Sequence, residues 1–250
     1  MVKKLTSFLT GQITLRLLFK AVLAGLFLFW VLASGFGWFP LVAFFGAVFI
    51  IYVLESATVK SIKVSFWLLP IFTVVGSYFL LKFFPIVFPT APLVAFVFAF
   101  IFFIILGLQN FLFKNRLLIY GILNALIFLI LSLVVFSQNI LTFWSVVLFL
   151  AVYFVFKESL GFFGVVSTKH SSFISAAVAF LGLTIGFFLS FLPLNFIGLA
   201  AFLTLFLLLV RDSFLVYSQG FLDLNFVFRE LFFFILVSFI IFAAGRWSIY

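Results

Sequence analysis

Apolar and polar residues alternate in long blocks along the whole chain. The apolar blocks are about 18 to 23 residues long, which is the length that an α-helix needs to cross the hydrocarbon core of a bilayer. They lack the residue-by-residue alternation of membrane β-strands. Because a backbone in hydrocarbon must satisfy its own hydrogen bonds, each block is predicted to be a helix. About nine spans are predicted, near residues 17–35, 38–55, 65–86, 92–109, 117–136, 140–157, 173–192, 194–210 and 231–245.

Two segments set charged residues among apolar ones, as helices that lie along a membrane surface do. Residues 1–16 precede the first span, and residues 211–230 separate the last two. The predicted fold is all-α, a polytopic transmembrane helical bundle that forms a single transmembrane domain over residues 1–250. Residues 1–16 are its interfacial N-terminal segment and residues 211–230 its cytoplasmic interfacial loop. Only the turn at 192–195 divides the seventh block from the eighth, so separate, fused and re-entrant helices all remain open there.

The composition excludes a water-soluble fold. Hydrophobic residues make up 68% of the chain, charged residues make up 8%, and 47 of the 250 residues are phenylalanine. Soluble domains carry roughly 25% charged residues and far fewer apolar ones. The chain contains no cysteine, which excludes disulfides, thiolate nucleophiles and cysteine-ligated metal sites.

The net charge of +9 comes from cations in short segments beside the spans. They are interpreted as topology signals, because cytoplasmic loops collect Lys and Arg. We therefore predict a protein integral to the cytoplasmic (inner) membrane of a prokaryote, with its N-terminus inside and its C-terminus outside. The lipid bilayer is its predicted partner, other membrane subunits are candidate partners, and nucleic acid is not. This orientation places 12 of the 14 cations inside: Lys3, Lys4, Arg16, Lys20, Lys60, Lys63, Lys114, Arg116, Lys157, Lys169, Arg211 and Arg229.

The pentapeptide PLVAF occurs at residues 40–44 and again at 92–96. When the even-numbered spans are aligned, each one ends at the inner face in polar residues, at a period near 50 residues. Such a period indicates internal duplication, here of four helical hairpins followed by a terminal helix. Chance similarity among helices rich in Phe and Leu is the alternative. The aligned inner-face positions are Glu55, Asn110, Glu158 and Asp212.

The predicted spans hold almost no ionisable side chain at mid-depth, which argues against a proton pump, a voltage sensor and a channel with a charged filter. Asn124, near the middle of the fifth span, is the most deeply placed amide, and Gln109 and Asn110 end the fourth span. Each is a candidate for contact with a polar substrate or with another helix. A hydrogen bond between helices is worth roughly 0.6 to 2 kcal/mol in a membrane, and we favour that role for Asn124.

The seventh span carries small residues along one helical face, which lets another helix approach closely. Gly182 and Gly186 form a GxxxG motif within it. The partner helix belongs either to this chain, which we favour, or to another protein. The small-residue stripe consists of Ser175, Ala179, Gly182, Gly186 and Ser190.

Glu158 is followed twelve positions later by His170, the only histidine. This pair could share general acid–base chemistry, but a zinc site needs three protein ligands, so no metal and no cofactor are predicted. The surrounding stretch KESLGFFGVV, residues 157–166, resembles the Glu-Glu and Phe-Arg-Gly motif of CAAX-protease-like intramembrane peptidases. It departs from that motif because Lys157 replaces the first glutamate, no arginine follows, and the later membrane histidines are missing. The resemblance therefore implies a relative without the catalytic residues.

Three functions follow from these patterns. We predict a non-catalytic subunit or scaffold of a larger membrane assembly, because selective recognition of a solute needs convergent polar groups that the spans lack. The first alternative is transport, by a permease or substrate-binding component for a small neutral or lipid-like molecule, which the hairpin repeat favours. The second alternative is an intramembrane enzyme that uses Glu158, His170 and the 211–230 loop.

Overall fold

A computed structural model describes residues 2–55, 63–83, 90–110, 112–137, 143–163, 168–218 and 223–246. These residues form nine α-helices and contain no β-strand, which confirms the prediction of an all-helical fold. The helices are α1 (Val2–Ala33), α2 (Trp38–Glu55), α3 (Lys63–Phe83), α4 (Thr90–Gln109), α5 (Arg116–Phe136), α6 (Phe143–Phe162), α7 (Thr168–Leu189), α8 (Phe196–Ser218) and α9 (Leu224–Arg246).

Seven of these helices are long and apolar enough, within the described residues, to cross a membrane. The other two, α2 and α3, offer shorter apolar segments, Trp38–Leu54 and Val64–Tyr78. At 1.5 Å per residue the first of these is about 26 Å long, close to the roughly 30 Å of a hydrocarbon core. Membrane insertion is thus supported by length and composition, and crossing by α2 and α3 stays a prediction.

The turn from α1 to α2 is fixed by backbone hydrogen bonds at the end of α1. The Phe36 amide donates to the Val31 carbonyl at 2.9 Å, and the Gly35 amide donates to the Leu32 carbonyl at 3.2 Å. This pair of bonds closes the end of a helix when the residue after its last turn is left-handed. Gly35 adopts φ of 64°, which glycine tolerates without strain. The chain therefore reverses within five residues and α2 begins at Trp38.

The turn from α7 to α8 shows that the seventh and eighth predicted spans are not fused into one helix. Asn195 accepts a hydrogen bond of 2.8 Å at Oδ1 from the Gly198 amide, so its side chain caps the first turn of α8. Ahead of it, the Leu194 amide donates to the Leu192 carbonyl across Pro193. The seventh and eighth predicted spans are therefore separate helices.

Contacts between α-carbons divide the chain into two compact units, residues 1–123 and 124–250. In the first unit, α1 packs against both α2 and α4, and α3 packs against α4. Phenylalanine rings fill the space between these helices. Phe98 lies 5.6 Å from Phe44 and 5.5 Å from Phe102, and Phe66 lies 5.1 Å from Phe102, measured between ring centroids. Edge-to-face and stacked pairs of this kind add to the stabilisation from burial.

Helices α1 and α4 approach closely at Gly25. A β-carbon placed on Gly25 would lie 2.8 Å from Cβ of Ala99 and 3.1 Å from the carbonyl oxygen of Ala95. Both helices thus present small residues four positions apart, Ala21 and Gly25 on α1 and Ala95 and Ala99 on α4. Close backbone approach of this kind is the main source of helix association in lipid.

In the second unit, α6 packs against α7, α7 against α8, and α8 against α9. Phe156 on α6 meets Phe214 on α8, with ring centroids 6.1 Å apart. Phe202 on α8 contacts two rings of α9, Phe234 at 5.5 Å and Phe242 at 6.0 Å. Residues 124–250 therefore build their core from four of the predicted spans, and among the described residues α9 packs mainly against α8.

Several helices extend beyond the limits predicted from hydropathy. Helix α1 begins at Val2, α8 continues to Ser218, and α9 already begins at Leu224. The eighth predicted span ended at residue 210 because hydropathy falls at Arg211, but helical hydrogen bonding does not depend on side-chain polarity. Residues 2–16 and 211–218 are thus helical continuations of α1 and α8. Their position at a membrane surface, and the single transmembrane domain, stay predictions.

Candidate functional site

Asn124 is held inside the second unit by a serine of the next helix. It lies on the buried face of α5 with Ile127, Phe128 and Leu131, at the three-to-four-residue spacing of one helical face. Its Nδ2 donates a hydrogen bond of 2.9 Å to Oγ of Ser159 on α6. Its Oδ1 is also buried and has no partner among the described residues. A buried amide that leaves one acceptor unpaired costs about 1 to 3 kcal/mol of desolvation free energy.

A second polar link joins α5 to α8. Oγ1 of Thr204 donates to the Ala200 carbonyl at 2.7 Å and lies 3.4 Å from Oγ of Ser132. Both side chains are buried. Since Ser132 is eight residues from Asn124, the two links are about 12 Å apart along α5. Helix α5 therefore contacts α6 at one level and α8 at another, each through a neutral hydroxyl.

Polar and charged groups of α6 and α7 meet near the predicted inner end. The Tyr153 hydroxyl is hydrogen-bonded to Ser172 of α7 and to Lys157 of α6. The Lys157 ammonium lies 3.4 Å from that hydroxyl and 5.5 Å from the centre of the tyrosine ring. An aromatic ring stabilises a cation that lies over its face. Tyr153 therefore interacts with Lys157 in two ways, because its hydroxyl accepts a hydrogen bond from the ammonium and its ring attracts the positive charge.

Arg211 is a nearly buried cation on α8. Its side chain is 9% exposed, and two of its nitrogens contact Oδ1 of Asp212 at 2.7 and 2.8 Å. The two general acid–base candidates lie elsewhere, Glu158 half-buried in α6 and His170 exposed on α7, and both interact with other groups. Among the described residues, no group of three or more His, Asp and Glu side chains is placed to hold a metal ion.

The four inner-face positions of the predicted repeat fall at different points of their helices. Glu55 is the last residue of α2, and Asn110 follows the last residue of α4. Glu158 and Asp212 lie inside α6 and α8, four and six residues before their ends. Asn110 donates from Nδ2 to the Leu106 carbonyl at 3.0 Å, within its own helix end. The side chains of Glu55 and Gln109 lie outside the described residues, and the duplication stays a prediction.

The small-residue stripe of α7 faces other helices of the same unit. Ser175, Ala179, Gly182 and Gly186 are buried, whereas Ser190 is exposed at the end of the helix. A β-carbon on Gly182 would lie 3.0 Å from a methyl carbon of Leu207 on α8 and 4.0 Å from Val152 on α6. Ser175 donates to the Ser171 carbonyl at 2.6 Å, inside its own helix. At Gly182 the stripe therefore contacts helices of the same chain, and the role of the whole stripe stays a prediction.

Sequence reasoning missed two features of the first unit. The guanidinium of Arg116 donates to the Leu108 carbonyl at 3.2 Å and so bonds one of the last carbonyls of α4. The ring of Phe113 packs over Gly107, where a β-carbon would lie 2.5 Å from it. Arg116 had been interpreted only as a topology signal, and no periodicity marks a ring in a loop. The close approach at Gly25 was detectable from its small residues.

Helix α9 differs from every other candidate span because its apolar residues are not covered. None of its most apolar window is buried, whereas 33–50% of the corresponding window is buried in the other six. One side of α9 contacts α8 through Phe234 and Phe242. A second side, here named the outer face of α9, carries bulky side chains that are 65–75% exposed. The outer face consists of Phe228, Phe232, Ile235 and Phe239.

The buried polar side chains are used within the chain. Each of the nine such residues in the described part takes part in an interaction with another group. This arrangement joins helices, and the buried side-chain atoms of the described residues that have no hydrogen-bond partner are Oδ1 of Asn124, Nε of Arg116 and Oγ of Ser238. The nine residues are Ser65, Ser77, Asn124, Ser132, Ser159, Ser171, Ser175, Thr204 and Arg211.

Comparison of the chain with protein-family models, with curated proteins and with solved structures gives no match.

Proposed function

We propose that the chain is a non-catalytic integral membrane subunit that binds another membrane protein through the outer face of α9. The observation that carries this proposal is the absence of any buried residue in the apolar window of α9. A helix held by one neighbour makes few packing contacts, and packing is what stabilises helices against one another in lipid. A second protein on the outer face supplies those contacts.

The spacing of the outer face supports helix-to-helix packing. Phe228, Phe232, Ile235 and Phe239 follow one another at intervals of four, three and four residues. That is the interval at which side chains of one helix interdigitate with those of a second helix in a left-handed pair. Because these side chains are large, the partner helix is expected to pack ring against ring, without the close backbone contact of a GxxxG pair.

Site-specific photo-crosslinking in native membranes tests this function. A photoreactive benzoylphenylalanine replaces Phe232 on the outer face, or Phe234 on the side that contacts α8, as the matched control. Irradiation is expected to yield a protein adduct of defined mass from position 232 and only intrachain products from position 234. An adduct near twice the chain mass of 28.4 kDa identifies the partner as a second copy. Lipid adducts alone from position 232, together with purification as a single chain, would contradict the proposal.

A second candidate function rests on one atom, Oδ1 of Asn124. This acceptor is buried without a partner among the described residues, and an unpaired acceptor in a helical bundle is where a small polar solute could bind. Transport of a small neutral or lipid-like molecule by a permease would then fail in proteoliposomes carrying Asn124→Leu. The control is Ser132→Ala, which alters the other polar link of α5. Equal transport rates for both variants would exclude Asn124 as the substrate contact.

Absence of catalysis is part of the proposal. Glu158 and His170 are the residues on which an intramembrane enzyme would depend, and both already interact with other groups. Glu158→Gln and His170→Ala are therefore expected to leave assembly with the partner unchanged. An activity that either substitution abolishes would establish the enzyme alternative.

The membrane and the orientation are proposed from the charge distribution. We infer that the protein lies in a prokaryotic cytoplasmic membrane with its N-terminus inside and its C-terminus outside. Twelve of the 14 cations then occupy the inner side, as the preference of cytoplasmic loops for Lys and Arg requires. The helical-hairpin duplication belongs to the same proposal, and its support is the recurrence of PLVAF at residues 40–44 and 92–96.

A further inference from the structure

A groove of about 570 Å³ runs between α1 and α2. Its walls are apolar along most of their length, with Leu23 and Phe27 on α1 and Ile50 and Leu54 on α2. Two cations, Arg16 and Lys20, line the end that is nearest the N-terminus of α1. The groove therefore combines an apolar channel with a positively charged end.

The length of the groove corresponds to one leaflet of a bilayer. Its lining covers the 11-residue step from Arg16 to Phe27 on α1 and the equal step from Ala43 to Leu54 on α2. At 1.5 Å per residue each step is about 16 Å long. Half of a hydrocarbon core of roughly 30 Å is about 15 Å. An acyl chain of one leaflet thus fits the groove when its headgroup lies at the charged end.

The charge of that end selects an anionic headgroup. Arg16 and Lys20 contribute two positive charges to that end of the groove. Basic pockets between membrane helices bind anionic lipid headgroups, and each basic residue near the surface strengthens binding about fivefold.

We propose that the groove between α1 and α2 is a binding site for an anionic phospholipid, with one acyl chain along Leu23 and Phe27 and the phosphate at Arg16 and Lys20. The proposal is independent of the partner helix on α9, because it concerns the other compact unit. The proposal requires that the protein lies in a membrane, but it does not depend on which side the N-terminus occupies or on any transport activity.

Gly46 provides a variant that fills the groove without disturbing the fold. It lines the groove, and a β-carbon added to it meets no atom within 4 Å. Gly46→Leu is therefore expected to occupy the space of the acyl chain. The charge variant is Arg16→Gln with Lys20→Gln. Its matched control, Lys114→Gln with Arg229→Gln, removes the same net charge from exposed positions elsewhere.

The test is native mass spectrometry of the purified chain titrated with phosphatidylglycerol or with phosphatidylcholine. The wild type is expected to retain one phosphatidylglycerol in preference to phosphatidylcholine. The charge variant should lose about 25-fold in affinity for phosphatidylglycerol, and Gly46→Leu should bind neither lipid at this site, while the control keeps the preference of the wild type. Circular dichroism of each variant verifies that it is folded. Equal retention of the two lipids by the wild type, or a folded Gly46→Leu variant that still retains phosphatidylglycerol, would overturn the proposal. So would a disulfide between copies that carry cysteine at Ile50, because a second chain would then occupy the groove.

Discussion

Asn124 on α5 donates a 2.9 Å hydrogen bond to Ser159 on α6, and neither side chain reaches the surface. Only one of the two polar atoms of the amide is thereby paired. In an apolar interior, removing one partner of a hydrogen bond destabilises the fold more than replacing both partners by apolar groups. The reason is that the polar group left behind keeps its full desolvation penalty. The two residues therefore act on stability as a unit.

Removal of the serine alone is expected to be the most damaging change to this pair. Ser159→Ala removes the acceptor that Nδ2 of Asn124 uses, so that Nδ2 as well as Oδ1 is left unpaired, and should lower the free energy of unfolding by about 1 to 2 kcal/mol. The double variant Asn124→Leu with Ser159→Ala removes the buried polar groups together and should recover most of that loss. Unfolding in mixed micelles, monitored by circular dichroism, measures the coupling of the double-mutant cycle. Additive effects of the two substitutions would show that the hydrogen bond contributes nothing.

Alanine substitutions at three helical glycines should change stability by amounts that depend on the atoms around each glycine. Gly46→Ala meets open space and should stabilise the chain by up to about 1 kcal/mol, because alanine is the better helix former. Gly182→Ala meets the flexible end of Leu207 at 3.0 Å and should cost little. Gly25→Ala would place its β-carbon 2.8 Å from Cβ of Ala99 and should cost the most, because α1 and α4 must separate. Thermal unfolding of the three variants in one detergent gives the ranking. A Gly25→Ala variant as stable as Gly46→Ala would contradict the close approach of α1 and α4.

A feature of the fold or of the candidate site could be predicted only where the amino-acid sequence carries a pattern that indicates it. The nine helices follow from apolar blocks, which hydrocarbon forces into helices. The burial of Asn124 followed from its depth in the fifth span, but its partner did not, since Ser159 is one of many hydroxyls in apolar helices. Arg16 and Lys20 appeared only as topology signals, because a groove between two helices depends on which faces meet. The length of α8 was underestimated because Arg211 lowers hydropathy, although its charge is contacted by Asp212.

Helices α8 and α9 each carry an ion pair between two residues that are consecutive in the sequence. Comparing the two pairs tests how burial of the cation changes the contribution of an ion pair to stability. The two cations differ in exposure: Arg211 is 9% exposed beside Asp212, which is 41% exposed, whereas Arg229 is 71% exposed beside Glu230, which is 25% exposed. Asp212→Asn removes an anion from a nearly buried cation and should lower the free energy of unfolding by about 1 to 3 kcal/mol. Glu230→Gln weakens an exposed pair, which is worth roughly 0 to 1 kcal/mol. The difference is measured by chemical unfolding at low and high salt. The effect of Glu230→Gln should shrink more than that of Asp212→Asn as salt rises, since the exposed Arg229 cation is screened more strongly than the nearly buried Arg211. Equal losses for both variants would contradict the electrostatic role of Arg211.

The absence of cysteine makes the proposed orientation directly testable. Single cysteines replace exposed residues in four turns: Lys114 between α4 and α5, Asp223 before α9, Ser34 after α1 and Ser190 after α7. If every helix crosses the bilayer and the N-terminus is inside, positions 114 and 223 lie inside and positions 34 and 190 lie outside. A membrane-impermeant maleimide applied to right-side-out vesicles should then label only positions 34 and 190. Inverted vesicles should give the opposite pattern, and permeabilised vesicles, as the control, should label all four. Labelling of positions 114 and 223 from opposite sides would mean that the helices between them cross an odd number of times, and the proposed topology would be wrong.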